Sequence, residues 1–169
     1  MRDTQRSKIY KSERAALWPL ASPLPTVSDV EKFCKKQLPR AAVQRRWPRA
    51  GETVQVHDGG GRRAACAWGG YKISIPLWAR SDVVVLHELA HIICARQFRR
   101  QDIAAHGWQF AGVFLDLIRI CKGRVAHDAL KAAFKENRVA FKPPRPKRVL
   151  TPEQREKLIE RLQSYRQAA

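Results

Sequence analysis

VLHELAHIICARQFRRQDIAAHGWQF, residues 85–110, carries His87, Glu88 and His91 inside an apolar, helix-forming run and His106 beyond it. Ser81 is placed to cap a helix through DVVVLHELAHIICARQF, and Asp82 in its first turn suits the positive end of the dipole. On that helix His87 and His91 lie one turn apart on one face, so two ring nitrogens can reach one metal ion. Glu88 is angled to one side of the metal, where its carboxylate can touch a water that the metal activates without being a ligand. That is the physical content of H-E-x-x-H. The bland alternative is two core histidines and a surface glutamate. Glu88, however, sits in an otherwise apolar stretch, where an ionised carboxylate is costly without a partner. In a chain of this composition the pattern arises by chance in under about one case in a hundred.

A catalytic zinc site ordinarily takes three protein ligands and an open position. His106 is the expected third ligand. RRQDIA breaks the periodicity after Phe98, and HGWQFAGVFLDLIRICKG then reads as a second helix with Phe110, Val113, Phe114, Leu117, Ile118 and Cys121 on its apolar stripe. A helical hairpin brings His106 back over His87 and His91, and Gly107 leaves room for close backbone approach. Asp102 is the rival ligand, since carboxylate oxygen also binds zinc; His57 and His127 are weaker candidates.

HELAH followed after a short turn by HGWQF resembles the SprT/Spartan-like zinc metallopeptidases of the minigluzincin type, in which HExxH precedes a third histidine in an HGxxF or HGxxW context. The opening RDTQRSKIYKSERAA, together with VLHELAH, is similar to a family of small actinobacterial metallohydrolases of unassigned substrate. The first resemblance spans roughly residues 53–120 and the second most of the chain. HExxH alone is shared by many peptidase clans; the downstream HG is more specific. The four-cysteine zinc ribbon of many SprT-like proteins has no counterpart here.

At 169 residues with 44% hydrophobic content, one globular domain with a real core is expected. Cys34, Cys66, Cys94 and Cys121 form no C-x-x-C pair and read as reduced thiols. No apolar run is long enough for a membrane span, and the polar N-terminus lacks the apolar core of a signal peptide, so a cytoplasmic protein is expected. A net charge of +18 and a pI near 10.6 attract nucleic acid, anionic surfaces or acidic protein. The charge is spread along the chain, with clusters at 45–46, 62–63, 96–100 and 138–148. Solubility, or an arginine-rich genome, explains such a balance equally well.

The fold expected is α+β: a small antiparallel three-stranded sheet packed against the HExxH helix and further helices. Ser28 and Glu31 are read as the capping box of an N-terminal helix, SDVEKFCKKQL, preceded by an irregular Pro-rich wrap. ETVQVHD, AACAW and YKISIPL read as three strands of a meander, and YKISIPL is expected to line the cleft and pair with an extended substrate. RVAHDALKAAFKEN reads as a third helix after the hairpin. Residues 1–137 form the metallopeptidase-like domain, 138–150 a basic Pro-rich linker, and 151–169 an amphipathic helix with Leu158, Ile159, Leu162 and Tyr165 on one stripe.

These residues imply a zinc-dependent metallohydrolase, foremost a peptidase. His87, His91 and His106 hold Zn2+, and Glu88 is the general base that passes a water proton to the leaving amine. The oxyanion donor is open among Tyr71, His57 and several arginines. Two alternatives use other chemistry: hydrolysis of a non-peptide amide at the same site, and a nucleic-acid-binding protein with a structural zinc. Partners are a protein or peptide substrate and, through the basic surface and residues 138–148, non-specific DNA or RNA; no membrane partner is expected.

Overall fold

The computed structural model describes residues 2–99, 101–144 and 151–167, the side chains of 162 and 165–167 excepted. Among them the chain forms α1 (Arg6–Ala16), α2 (Val27–Gln37), α3 (Ala41–Arg46), β1 (Gln55–Asp58), β2 (Cys66–Trp68), β3 (Lys72–Ile75), α4 (Asp82–Gln97), α5 (Trp108–Lys122), α6 (Arg124–Glu136) and α7 (Pro152–Gln167). The class is α+β, as the sequence leads one to expect.

α4 is the axis of the molecule. Val83, Val85, Leu86, Leu89, Ala90, Ile92 and Ile93 are fully buried along one half of its circumference, while His87, Glu88 and His91 lie on the other half. The apolar half needs cover from its neighbours; α5, α2, β2 and β3 pack against the helix. α6 packs on α5 and α1 on α6, which carries the N-terminal helix round to the histidine end of α4. Ser81 caps α4 by accepting from Val84 N–H at 3.4 Å. Asp82 is also a tertiary anchor: its carboxylate accepts from Ser22 N–H at 2.9 Å and pairs with Lys122.

The sheet is mixed, not antiparallel, with order β1-β3-β2. β1 runs parallel to β3, pairing Gln55 with Lys72 through Asp58 with Ile75, and β2 runs antiparallel to β3, pairing Cys66 with Ser74 and Trp68 with Lys72. Burial is the reason. Ile73, Ser74 and Ile75 are all buried, so β3 needs cover on both faces and takes the centre. The chain therefore passes over β3 to reach β2 at the far edge. It returns through Trp68-Gly69-Gly70-Tyr71, where both glycines have positive φ (58° and 74°) and Tyr71 N–H bonds Trp68 O at 3.2 Å. Paired positive φ values are what a tight two-residue hairpin demands.

Two local readings are also corrected. The box on α2 is Thr26 with Asp29, two residues upstream of the Ser28–Glu31 pairing: Asp29 N–H donates to Thr26 Oγ1, and Thr26 N–H donates to the Asp29 carboxylate, both at 3.1 Å. Asp does in this reciprocal pair what Glu or Gln usually does. The packed domain also runs past residue 137. Val139 N–H bonds Phe134 O and Arg138 N–H bonds Lys135 O, with Arg138 at φ 53°. This is a Schellman end whose left-handed position is filled by arginine rather than glycine. It folds Val139 and Phe141 back onto the core. In α7, Leu158 and Ile159 are about half exposed; Leu162 and Tyr165, and Arg145, Lys147 and Arg148 of the basic linker, lie outside the described residues.

Candidate metal centre

His87 and His91 project from successive turns of α4, and His106 comes from the turn that enters α5. Their ligand nitrogens all lie within 4.8 Å of one another. The ring centroids are 5.0 Å apart for His87–His91, 4.8 Å for His91–His106 and 5.5 Å for His87–His106. Gly107 N–H bonds Ala104 O at 3.0 Å to make the turn, and a Cβ on Gly107 would stand only 3.2 Å from that oxygen. Phe110, fully buried one turn into α5, lies under all three rings: 4.2 Å from His91 in a stacked arrangement, 4.9 Å from His87 and 5.0 Å from His106. The aromatic of HGWQF thus sets the tilt of the histidines.

The N-terminal segment completes the site, and the sequence reading missed it. Glu13 of α1, buried, accepts a hydrogen bond from His87 Nδ1 at 2.8 Å, and Asp3 accepts one from His106 Nδ1 at 2.7 Å. With Nδ1 donating outward, each ring turns its Nε2 lone pair inward. This is the carboxylate–histidine arrangement that fixes tautomer and orientation in metal sites. The Nε2 of His106 is buried without a hydrogen-bond partner, and no other buried side-chain nitrogen or oxygen among the described residues shares that condition. A buried acceptor left alone is costly unless something occupies it. A metal ion satisfies it, and three imidazoles fit one. Gln5 bolts the segment down by donating to His106 O at 3.2 Å and accepting from Ala140 N–H at 2.6 Å.

Burial governs the charge states. It holds His91 well below the ordinary histidine range, down to about 2, with His87 and His106 adding to the effect. His106 is lowered by burial, against the opposing pull of Asp3. For His87, burial works downward but the Glu13 carboxylate outweighs it, and the net direction is up. Glu88 is pushed up to about 7 by burial, with Glu13 adding and His87 opposing. A carboxyl near neutrality beside three imidazoles suits proton transfer.

Glu88 faces a cleft with two lobes. One, of about 280 Å³, runs from His87 and Glu88 toward Arg14, Trp18, Arg63 and Trp78. The other, of about 420 Å³, runs past His91 and His106 toward Cys94, Ile103 and Trp68. Arg6, Tyr10, Ala65 and Glu88 border both. The Tyr10 ring is 5.4 Å from that of His87 and 5.3 Å from that of His106. Burial raises the Tyr10 pKa, although a hydrogen bond from Arg6 opposes the rise, so its hydroxyl keeps its proton.

Other candidates fall elsewhere. Asp102 is exposed and outside the metal-capable set. His57 and Tyr71 line a separate groove on the sheet with Lys72 and Ser74. His127 pairs with its neighbour Asp128 at 2.7 Å. β3 cannot receive a substrate strand, because β1 and β2 occupy both its edges; the strand bordering the cleft is β2. The four cysteines are free thiols, and burial pushes those of Cys34 and Cys94 up to about 12. No described helix is long and apolar enough to cross a membrane.

The signal for the missed carboxylates lies in RSKIYKSERAA. Ile9, Ser12 and Glu13 fall on the buried side of α1, followed by Leu17, so a charged residue occupies an inward position. No protein-family model, curated protein or solved structure matches the chain.

Proposed function

We propose that the protein is a zinc-dependent metallohydrolase that cleaves peptide bonds. One observation carries the reading. Three histidine nitrogens converge, two of the rings are turned inward by buried or half-buried carboxylates, and Glu88 stands beside them without a hydrogen bond among the described residues. A purely structural site has no use for that last carboxylate.

Neutral imidazole nitrogens favour zinc over magnesium or calcium, which prefer oxygen. When bound, zinc supplies Lewis acidity to the attacking water and the scissile carbonyl. His87, His91 and His106 would hold it. Glu88, which borders both lobes of the cleft beside His87 and His91, would take the proton from water and return it to the leaving amine. Tyr10 borders both lobes, its ring 5.4 Å from that of His87 and 5.3 Å from that of His106, and is our candidate donor to the developing oxyanion. Asp3 and Glu13 touch no substrate; they are positioning residues that act through His106 and His87. Ala65, Ala67 and the edge strand β2 offer an extended peptide backbone partners along the floor of the cleft.

The test is hydrolysis of unstructured peptides by zinc-loaded protein, compared with the Glu88→Gln variant at equal zinc content. Cleavage by the wild type and its loss in the variant support the reading.

A further inference from the structure

The two lobes of the cleft differ in chemistry. The lobe past His91 is apolar, walled by Cys94, Ala95, Ile103 and Trp68. The lobe beside Glu88 is cationic and aromatic. Arg14 and Arg63 reach into it from opposite sides, one on α1 and one in the crossover between β1 and β2, and Trp18 and Trp78 form its walls. Arg14 lies over the Trp18 ring at 5.2 Å, which holds the guanidinium in place while its edge stays open to solvent. Trp78 is fixed by donating from Nε1 to Arg62 O at 3.1 Å. Among the described residues neither Arg14 nor Arg63 has an ion-pair partner. The acids facing the same space are Glu13, engaged by His87, and Glu88 at the cleft centre. The lobe therefore carries two uncompensated guanidiniums at Arg14 and Arg63, beside Arg6, which lies over the Tyr10 ring at 5.5 Å.

We propose that this lobe is a specificity subsite for an acidic side chain of the peptide substrate, next to the scissile bond on the Glu88 flank. The inference rests on the peptidase reading and names what that peptidase prefers. Guanidinium pairs a carboxylate through two parallel N–H donors, and the tryptophan walls take the aliphatic stem of the side chain. A nucleic-acid phosphate fits less well. A backbone needs an extended cationic track, whereas this is a pocket of about 280 Å³ that opens on His87 and Glu88 and holds one or two side chains.

Binding is measured on zinc-loaded Glu88→Gln protein, which keeps the ligand set and does not turn substrate over. The probes are fluorescent peptides differing only as Glu against Gln at one position, each with a free or an amidated C-terminus. The Glu peptide is expected to bind about tenfold tighter, whatever its C-terminus. Arg14 and Arg63 are exposed, so Arg14→Glu/Arg63→Glu is expected to fold and to abolish the preference. Lys32→Glu/Lys36→Glu, which changes the charge equally on a distant groove, is expected to keep it. Equal loss in both double variants would overturn the subsite, since the general +18 field would then explain the binding. So would a preference confined to free C-termini, or displacement of the peptide by single-stranded DNA through Arg14 and Arg63. Wild-type hydrolysis is scored separately: a Glu peptide bound selectively but never cleaved would contradict the peptidase and leave the subsite standing.

Discussion

Glu13 accepts a hydrogen bond from His87 across 74 positions of sequence, and both side chains are buried. The pair links the first helix to the three converging histidines. It explains why a short, highly charged helix turns Glu13 inward beside Ile9 and Ser12 while most of its other residues stay exposed.

Removing that carboxylate should weaken the metal site and the fold together. Glu13→Ala is expected to cost about 10–100-fold in zinc affinity, because His87 loses its fixed orientation, and about 1–3 kcal/mol in stability, because Nδ1 is left buried and unpaired. Asp3 is partly exposed, with 26% of its side chain accessible. Asp3→Ala should therefore lower zinc affinity through His106 with little change in stability, since water can replace the carboxylate. Competition with a chromophoric chelator and urea melts of the same samples separate the two effects.

Tyr10→Phe keeps the ring against His87 and His106 and removes only the hydroxyl. Zinc content and KM should stay close to wild type while kcat falls about 10²–10³-fold, the range for loss of one oxyanion donor. An unchanged kcat would remove Tyr10 from the chemistry.

The metal-free protein should lose stability on acidification through His91. Its folded pKa is held down near 2, so below about pH 6.5 the unfolded chain binds a proton that the folded chain refuses. The unfolded state then binds more protons, and stability falls with pH by up to about 1.4 kcal/mol per unit from this group. His87 works the other way, because its pKa is raised in the fold and its contribution is present at low pH. His91→Asn isolates the first effect. Urea melts of chelator-treated protein between pH 4.5 and 7 should show a shallower acid loss in the variant.

The histidine helix, the hairpin to His106 and the α+β class were legible because each rests on local periodicity: two histidines one turn apart, a break after Phe98, a second apolar stripe from Phe110. Asp3 and Glu13 were not legible, because their partners are about a hundred and 74 residues away and only tertiary packing of α1 pairs them. Glu13 looked like one more charge in a charged stretch. The strand order was hidden for a related reason: three short strands in sequence suggest a meander, and only the burial of Ile73 and Ile75 on β3 puts that strand in the middle. The cap on α2 slipped by two residues because Thr26 and Ser28 are both good cap residues, and the chain uses the first.

Nucleic-acid binding, if the basic linker provides it, should be non-specific and steep in salt. Val139 and Phe141 pack on the core and the exposed Arg138 holds the left-handed end of α6, so the charges to neutralise without disturbing the fold are Lys142, Arg145, Lys147 and Arg148. Replacing these four with glutamine should reduce the log–log salt slope for single-stranded DNA by about 2.8. Equal slopes for the two proteins in fluorescence titrations would assign any binding to the arginines of the folded domain.

On the proposed function, His87, His91 and His106 hold one zinc ion and Glu88 uses it to hydrolyse peptide bonds. The most direct measurement is cleavage of an unstructured peptide mixture, followed by mass spectrometry, for wild type and Glu88→Gln at matched zinc content. The expected result is one zinc per chain in both proteins, metal-dependent cleavage by the wild type, and a loss of at least about 10²-fold in the variant. Cleavage at the same rate in Glu88→Gln, or none by zinc-loaded wild type, would contradict it.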